Sequence, residues 1–150
     1  MKKTLKYKDL DQTLKHLRMQ VIDSLHFCVN ELPTFDTPEQ MFNTLKNLVI
    51  YKNDPPGIEL LQSAQTLLSE DNYHGTPGAG DCDCFTILVL ACCLANGWNA
   101  NEIVLVGHNG KTAAHIYSTT TVNGKRYIMD LTNPYINIER PYKFRQILPV

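Results

Sequence analysis

The chain has 150 residues, of which 43% are hydrophobic and 19% charged, and its formal net charge at pH 7 is -1. A chain of this length fits one domain, and folding at this size buries enough surface to support a core without disulfide bonds. The near-zero charge gives no long-range positive field that would attract phosphate backbones. We therefore expect a single domain over residues 1–150 that does not bind nucleic acid.

The sequence also bears on the compartment. The basic start, residues 1–8, is followed by no apolar segment of a signal peptide, so we expect a solvated, frayed terminus. The apolar run Phe85–Ala95 is too short to cross a bilayer and predicts a buried helix. The cysteines form an odd set without the spacing of a secreted disulfide framework. We expect a cytoplasmic protein with no membrane partner and five free thiols, namely Cys28, Cys82, Cys84, Cys92 and Cys93.

Three helices are predicted in the first part of the chain, about residues 9–69. Apolar residues recur every three or four positions from Leu10 to Leu32, which predicts one long amphipathic helix that Pro33 ends. A second helix begins with Thr37 as N-cap and Pro38 in the first helical position, and Gln40 can reach back to the cap. We expect it to continue to the Asp-Pro-Pro-Gly segment at 54–57, and a third, shorter helix to follow over residues 58–68. The expected buried stripe of the second helix is Met41, Leu45, Leu48 and Val49.

The pattern changes at residue 81. A loop rich in Gly, Asn, Asp and Pro occupies residues 69–80, and Asp81 after it is a good N-cap. Residues 82–96 are apolar nearly all round, and Gly97 stands where a left-handed C-terminal cap is needed. A helix without a polar face is surrounded by other elements, so we expect this one to cross the middle of the domain.

After this helix the hydrophobic period falls to two, which indicates strands at residues 102–108, 113–122 and 125–131. Asn123-Gly124 is a strong signal for a two-residue hairpin turn. Residues 142–148 are expected to add a short edge strand. The order predicts an α+β domain, in which N-terminal helices and a buried central helix pack on a small antiparallel sheet, with a catalytic core over about residues 70–150.

Cys82 is the candidate nucleophile because of its place in the first turn of the central helix. A thiolate there faces the positive end of the helix dipole, and the unpaired amides of the first turn can donate to an oxyanion beside the sulfur. The carboxylates of Asp81 and Asp83 oppose this effect. A neighbouring histidine is therefore needed to ionise the thiol.

The predicted hairpin supplies that histidine. If Asn123 and Gly124 form a two-residue turn, Val122 faces Lys125 and His115 faces Thr132. Asp130 then lies two residues from the partner of His115, on the same sheet face and about 7–8 Å away at the backbone. A carboxylate at that distance can fix the imidazole tautomer that leaves the other ring nitrogen free for a thiol.

Three motifs in this order resemble the transglutaminase-like superfamily. They are the residues 80–86 (Gly-Asp-Cys-Asp-Cys-Phe-Thr) opening the apolar helix, residues 114–117 (Ala-His-Ile-Tyr) and residues 127–132 (Tyr-Ile-Met-Asp-Leu-Thr). The upstream segment 54–59 is similar to that of short bacterial and bacteriophage members. The resemblance implies a papain-like core with Cys82 as nucleophile, His115 as base and Asp130 as third member of a catalytic triad. It implies no cofactor and no metal.

Other interpretations of these residues compete with the triad. Many relatives carry an acidic residue where this chain has Cys84, which raises the question of which thiol reacts, and the helix-start argument favours Cys82. His108, at the end of its own strand, is a rival base. A zinc site built from the cysteines conflicts with their spacing, because Cys82 and Cys84 point to different sides of a helix.

The predicted function is cysteine-dependent acyl transfer on an amide bond of a peptide or protein substrate. Hydrolysis by a thiol peptidase or amidase is preferred over transamidation of protein glutamine, and a cell-wall endopeptidase is a third form of the same chemistry. The alternative from another class is a catalytically idle scaffold, such as a phage-associated structural or accessory protein with a phage or bacterial partner. A phage-encoded protein of this kind would be virion-associated. The family contains active and inactive members, so the fold does not name the reaction.

Overall fold

The structure is a computed structural model that describes the backbone of residues 2–6 and residues 10–150. It is a mixture of helices and strands. In chain order the elements are β1 Lys2–Lys6, α1 Leu10–Glu31, α2 Pro38–Lys46, β2 Ile50–Tyr51, β3 Ile58–Gln62, α3 Ala64–Leu67, β4 Ala79–Gly80, α4 Cys82–Ala95, β5 Ala100–Gly107, β6 His115–Val122, β7 Lys125–Met129 and β8 Phe144–Pro149.

The first two helices begin where the sequence predicts. Helix α1 runs from Leu10 to Glu31 and buries most of the predicted apolar stripe, namely Leu14, Leu17, Val21 and Cys28, whereas Leu10 is 40% exposed. At the start of α2, the Thr37 hydroxyl accepts a hydrogen bond from the Gln40 amide at 3.1 Å. The Gln40 side chain returns a bond to the amide of Asp36, one residue before the cap, at 2.8 Å. These two hydrogen bonds satisfy backbone amides that the helix itself leaves unpaired.

The predicted end of α2 is wrong. The helix ends at Lys46, and Leu48, which was expected in the buried stripe, is 42% exposed. The chain turns at this point because the Leu48 amide bonds to the carbonyl of Leu45, and Ile50 then pairs with Gly78 at 2.9 Å. Strand β2 pairs in parallel with β4 in this way. A pairing partner 28 positions along the chain does not appear in local periodicity.

The predicted third helix over 58–68 is also wrong in its first half. Residues Ile58–Gln62 form β3, and only Ala64–Leu67 is helical. Strand β3 pairs antiparallel with β1, so the expectation of a frayed terminus is wrong for residues 2–6. A short, partly apolar run suits a strand or a helix equally. Here the pairing with β1, at the start of the chain, decides for a strand.

Helix α4 matches its prediction at both ends. The Asp81 carboxylate accepts a hydrogen bond from the Asp83 amide at 3.2 Å, and Gly97 after the helix has a φ of +82°. A positive φ of this size favours glycine, because it lacks the Cβ that would clash. Eleven of the helix's residues, from Asp83 to Cys93, are buried.

The four-stranded sheet has the order β7-β6-β5-β8 and is antiparallel throughout. The hairpin prediction is confirmed, since Val122 pairs with Lys125 and both turn residues have positive φ. The ladder ends at the pair Ser118 and Met129, before the expected pair of His115 with Thr132. Strand β8 lies at the sheet edge beside β5, as predicted.

The core confirms the α+β layering with a buried central helix. Helix α4 packs between α1 on one side and the face of the sheet around β6 on the other. A smaller apolar cluster on the opposite sheet face contains Val104, Val106 and Tyr117. Among the described residues, no helix is both long enough and apolar enough to cross a membrane.

Candidate active site

A cleft of about 1140 Å³ opens where the first turn of α4 meets the start of β6. Cys82 and His115 both line it, together with Tyr51 and the segment 53–59. Two of the three residues that the sequence singled out therefore face one space. The third, Asp130, is buried behind His115 with an exposure of 4%.

Close packing of the loop before α4 positions Cys82. A Cβ atom added to Gly80 would lie 2.9 Å from the side chain of Leu67 and 3.0 Å from that of Cys84. Only glycine therefore lets the chain approach α4 this closely before Asp81 caps the helix. The carbonyl of Gly80 also accepts a hydrogen bond from the Lys52 amide at 2.7 Å, which holds Tyr51 beside the start of the helix.

His115 is the first residue of β6, and Asp130 directly follows β7. Nε2 of His115 lies 2.7 Å from Oδ2 of Asp130. If Nε2 carries the proton in this bond, Nδ1 is the nitrogen left to accept a proton from a thiol. The imidazole also packs on Tyr142, with ring centroids 6.2 Å apart, and on Tyr117 at 6.0 Å.

A hydrogen-bonded turn holds the carboxylate of Asp130. Oδ1 accepts bonds from the amide of Thr132 at 3.0 Å and from its hydroxyl at 2.7 Å. The side chain of Asn133 donates to Oδ2 at 3.3 Å and is itself held by Arg140 at 3.2 Å. The sequence analysis did not single out Thr132 and Asn133 as site residues. An Asp followed by polar residues at the end of a strand is a turn signal that could have found them.

Cys82 meets β6 through the residue next to His115. The backbone of Ile116 is close enough to the Cys82 sulfur to lower the pKa of the thiol. No hydrogen bond joins the Cys82 sulfur to His115 among the residues that the structure describes. The two groups thus share the cleft and lie on contacting elements, while the direct contact is between His115 and Asp130.

The surroundings of Cys82 oppose ionisation of its thiol. Burial raises the pKa of Cys82 well above the usual value, and the carboxylates of Asp83 and Asp81 raise it further. The backbone of Ile116 lowers it. This agrees with the prediction that the flanking aspartates counteract the helix dipole.

Four carboxylates converge on one wall of the cleft, and sequence reasoning missed the group. The ligand oxygens of Asp54, Glu59, Asp81 and Asp83 all lie within 4.8 Å of one another. In the described part of the chain, no Lys or Arg forms an ion pair with any of them. Burial raises the pKa of both Asp81 and Asp83, and the neighbouring carboxylates add to the rise. An all-oxygen group of this kind suits Ca²⁺ or Mg²⁺, but acidic residues also cluster without an ion.

The acidic wall also acts on Tyr51. Burial, followed by the charges of Cys82, Asp81 and Asp54, raises the pKa of Tyr51 to about 12. Its phenol therefore keeps its proton at neutral pH and can donate a hydrogen bond into the cleft. The sequence analysis did not single out Tyr51, because β2 and its pairing with β4 were not predicted.

The helix start offers fewer oxyanion donors than the sequence analysis expected. The amide of Asp83 donates to the Asp81 side chain, and the amide of Phe85 donates to the Asp81 carbonyl at 3.0 Å. The backbone of Cys84 also acts on the Asp81 carboxyl and lowers its pKa. In the described residues, the amide of Cys82 itself has no acceptor, so it is the first-turn donor left for an oxyanion.

The rival residues lie away from the cleft. Cys84 is fully buried and its thiol donates to the carbonyl of Leu60 at 3.2 Å. His108 is exposed and contacts Tyr142, with ring centroids 5.7 Å apart. Among the described residues, no cysteine belongs to a metal-ligand cluster of three or more acidic, histidine or cysteine side chains.

The sequence matches no protein-family model. No curated protein matches it either. One solved structure, of a proposed cysteine protease from Cytophaga hutchinsonii, aligns with 83% of this chain at 17% identity and a TM-score of 0.46. The chain spans 39% of the length of that protein. A similarity at this level establishes neither a shared family nor a shared activity.

Proposed function

We propose that the protein is a cysteine-dependent acyl-transfer enzyme with a papain-like arrangement, in which Cys82 is the nucleophile, His115 the base and Asp130 the residue that orients the imidazole. The main support is the bond of 2.7 Å between His115 Nε2 and Asp130 Oδ2 at the cleft that Cys82 lines. The motifs around Cys82, His115 and Asp130 that resemble the transglutaminase-like superfamily support it as well.

The proposed reaction has two steps. Nδ1 of His115 takes the proton of the Cys82 thiol, and the thiolate attacks the carbonyl carbon of an amide. The imidazolium then returns the proton to the leaving amine, and an acyl-thioester remains on Cys82. A water molecule, deprotonated by His115, releases the carboxylic acid and restores the thiol.

Hydrolysis is the preferred outcome because the cleft is wide. Transamidation needs an amine to compete with water at the thioester, and a cleft of about 1140 Å³ leaves room for water beside a peptide. We therefore propose a thiol peptidase or amidase that acts on a peptide or protein. A protein-glutamine transamidase and a cell-wall endopeptidase share the same acyl-enzyme, and a cytoplasmic or virion location is part of the proposal.

Alkylation with iodoacetamide at neutral pH tests the site without knowledge of the substrate. Cys82 should react far faster than Cys84, and His115→Ala should slow it by roughly 100-fold, in the range of lost general-base assistance. His108→Ala is the matched control, because His108 packs on the same Tyr142 but lies outside the cleft. Cys82 should be labelled at the wild-type rate in the His108→Ala variant. Equal, slow labelling of all thiols would contradict the proposal.

A catalytically idle scaffold is the second candidate, and one observation favours it. The pKa of Cys82 is raised by burial and by two aspartates, and the sulfur makes no hydrogen bond to His115 in the described residues. If Cys82 and Cys84 label at the same slow rate and His115→Ala changes neither, the fold serves as a binding platform instead, such as a phage-associated accessory protein.

A further inference from the structure

Two cysteines that take no part in the proposed site lie in contact between α1 and α4. The sulfurs of Cys28 and Cys92 are 3.7 Å apart, and the side chains are 4% and 3% exposed. Both stand in the second half of their helices, at the end of α4 opposite to Cys82. Two thiols in van der Waals contact are placed to react with each other whenever one of them is oxidised.

A small cavity lies next to the pair. Cys28 and Cys92 both line a space of about 80 Å³, together with residues 32–35 after α1 and residues 95–96 at the end of α4. Its rim includes Val29, which is 60% exposed, and the exposed Thr34. A cavity of this size admits several water molecules, so a molecule as small as hydrogen peroxide can reach the sulfurs from solvent.

We propose that Cys28 and Cys92 form a redox-sensitive pair that a peroxide converts into an intramolecular disulfide. One thiolate attacks a peroxide oxygen, which breaks the O–O bond and leaves a sulfenic acid and one water. The sulfur of the second cysteine then attacks the sulfenic sulfur and displaces a second water. In sum, two thiols and one hydrogen peroxide give one disulfide and two waters, so the sulfurs are oxidised and the peroxide is reduced.

The two sulfurs start close to bonding distance. The sulfurs must approach by roughly 1.7 Å to reach bonding distance, which rotation of one side chain can supply. The adjoining cavity gives that side chain room to turn without a clash in the core. The hydrogen bond that Cys92 donates to Cys28 raises the pKa of Cys92, and burial adds to the rise, so the reaction should be slow at neutral pH and faster as pH increases.

In the part of the chain that the structure describes, the hydrogen-bonding contacts of the Cys84 and Cys93 sulfurs are with groups other than a thiol. The sulfur of Cys93 lies against the sulfur of Met41 at 3.7 Å, and Cys84 bonds to Leu60 and Gln62. The disulfide would join residues 64 positions apart and link α1 to α4. Crosslinks over long segments stabilise a fold because they reduce the freedom of the unfolded chain. The pair would thus strengthen the domain when it meets an oxidising medium.

The test uses Cys82→Ser protein, so that the thiol of the proposed site takes no part. The reduced protein is treated with hydrogen peroxide, alkylated under denaturing conditions and mapped by mass spectrometry without reduction. We expect a crosslinked peptide pair containing Cys28 and Cys92, lighter by two hydrogen atoms than the sum of the free peptides. The melting temperature should rise by about 5 °C or more, and dithiothreitol should reverse the rise.

Two variants in the same background serve as controls. Cys93→Ser should keep the crosslink and the increase in melting temperature, while Cys92→Ser should lose both. The proposal is overturned if Cys28 and Cys92 remain open to alkylation after peroxide treatment. A disulfide that maps to another cysteine or joins two chains overturns it as well. None of these outcomes depends on whether Cys82 is a nucleophile.

Discussion

The two ends of α4 carry the same residue type in opposite surroundings. At the N-terminal end, Cys82 faces an open cleft beside Asp81 and Asp83. Toward the C-terminal end, Cys92 and Cys93 are 3% and 1% exposed and pack among apolar side chains. One helix thus supplies a thiol to the cleft at its first turn and packs in the hydrophobic core a few turns later.

The role of each cysteine in α4 follows from its position along the helix. The first turn has unpaired amides and a positive dipole end, and both favour anionic chemistry there. The side chains of the later turns pack in the apolar core, where Cys92, in contact with Cys28, is the residue for which we also propose redox chemistry. Changes in the middle of α4 should therefore alter stability, and changes around its first turn should alter reactivity.

The largest effect is expected from a cavity in the middle of the helix. Leu88 has no exposed surface, and Leu88→Ala should lower the free energy of unfolding by about 2–5 kcal/mol. Ile22→Ala on α1 is the control, because Ile22 is 69% exposed and its loss should cost no more than about 0.5 kcal/mol. Urea unfolding measures both. Equal losses in the two variants would contradict the placement of Leu88 in the core.

The second prediction concerns the histidine. Asp130→Asn keeps the size of the side chain and its bonds to Thr132 but removes the charge beside His115. Labelling of Cys82 by iodoacetamide should slow by about tenfold to 100-fold, because the imidazole loses the carboxylate that fixes its tautomer. The pH profile of labelling separates this effect from damage to the fold. If the variant is labelled at the wild-type rate at every pH, Asp130 does not act through His115.

Local signals predicted most of the fold. Thr37, Asp81 and Gly97 mark helix ends through their own hydrogen bonds or backbone angles, so they appear in the sequence. The Asn123-Gly124 turn fixes the hairpin register and brings His115 near Asp130, which the structure confirms. These features depend on residues a few positions apart.

The errors in the assignment of helices and strands arose from contacts between distant segments. Strand β3 exists because β1, from the start of the chain, pairs with it, and β2 exists because it pairs with β4. The same pairings bring Asp54 and Glu59 to the first turn of α4 and create the acidic wall. A sequence pattern shows the apolar residues Ile58, Leu60 and Leu61, but it does not show what lies beside them.

A third prediction uses this acidic wall, which local signals missed. Burial and its carboxylate neighbours raise the pKa of Asp83 in the folded protein, so the unfolded chain releases this proton at lower pH than the folded one. Stability should therefore fall as pH rises from the unfolded value toward the folded one. Asp83→Asn removes the ionisation, so it should stabilise the protein more at about pH 8 than at about pH 4. Urea unfolding at the two pH values measures the difference.

The smallest expected effect is that of Asp83→Asn on the rate at which the Cys82 thiol is labelled by iodoacetamide. At low pH the wild-type Asp83 carries a proton, so Asp83→Asn should leave the labelling rate of Cys82 unchanged. As pH rises and Asp83 ionises, its charge opposes the thiolate in the wild type alone. The variant should then label faster by about twofold to fivefold, because it lacks one nearby charge that opposes the thiolate. Glu39→Gln, on the exposed first turn of α2, controls for a general change of charge. An advantage of Asp83→Asn that is constant across pH would mean that the aspartate affects Cys82 through packing instead of charge.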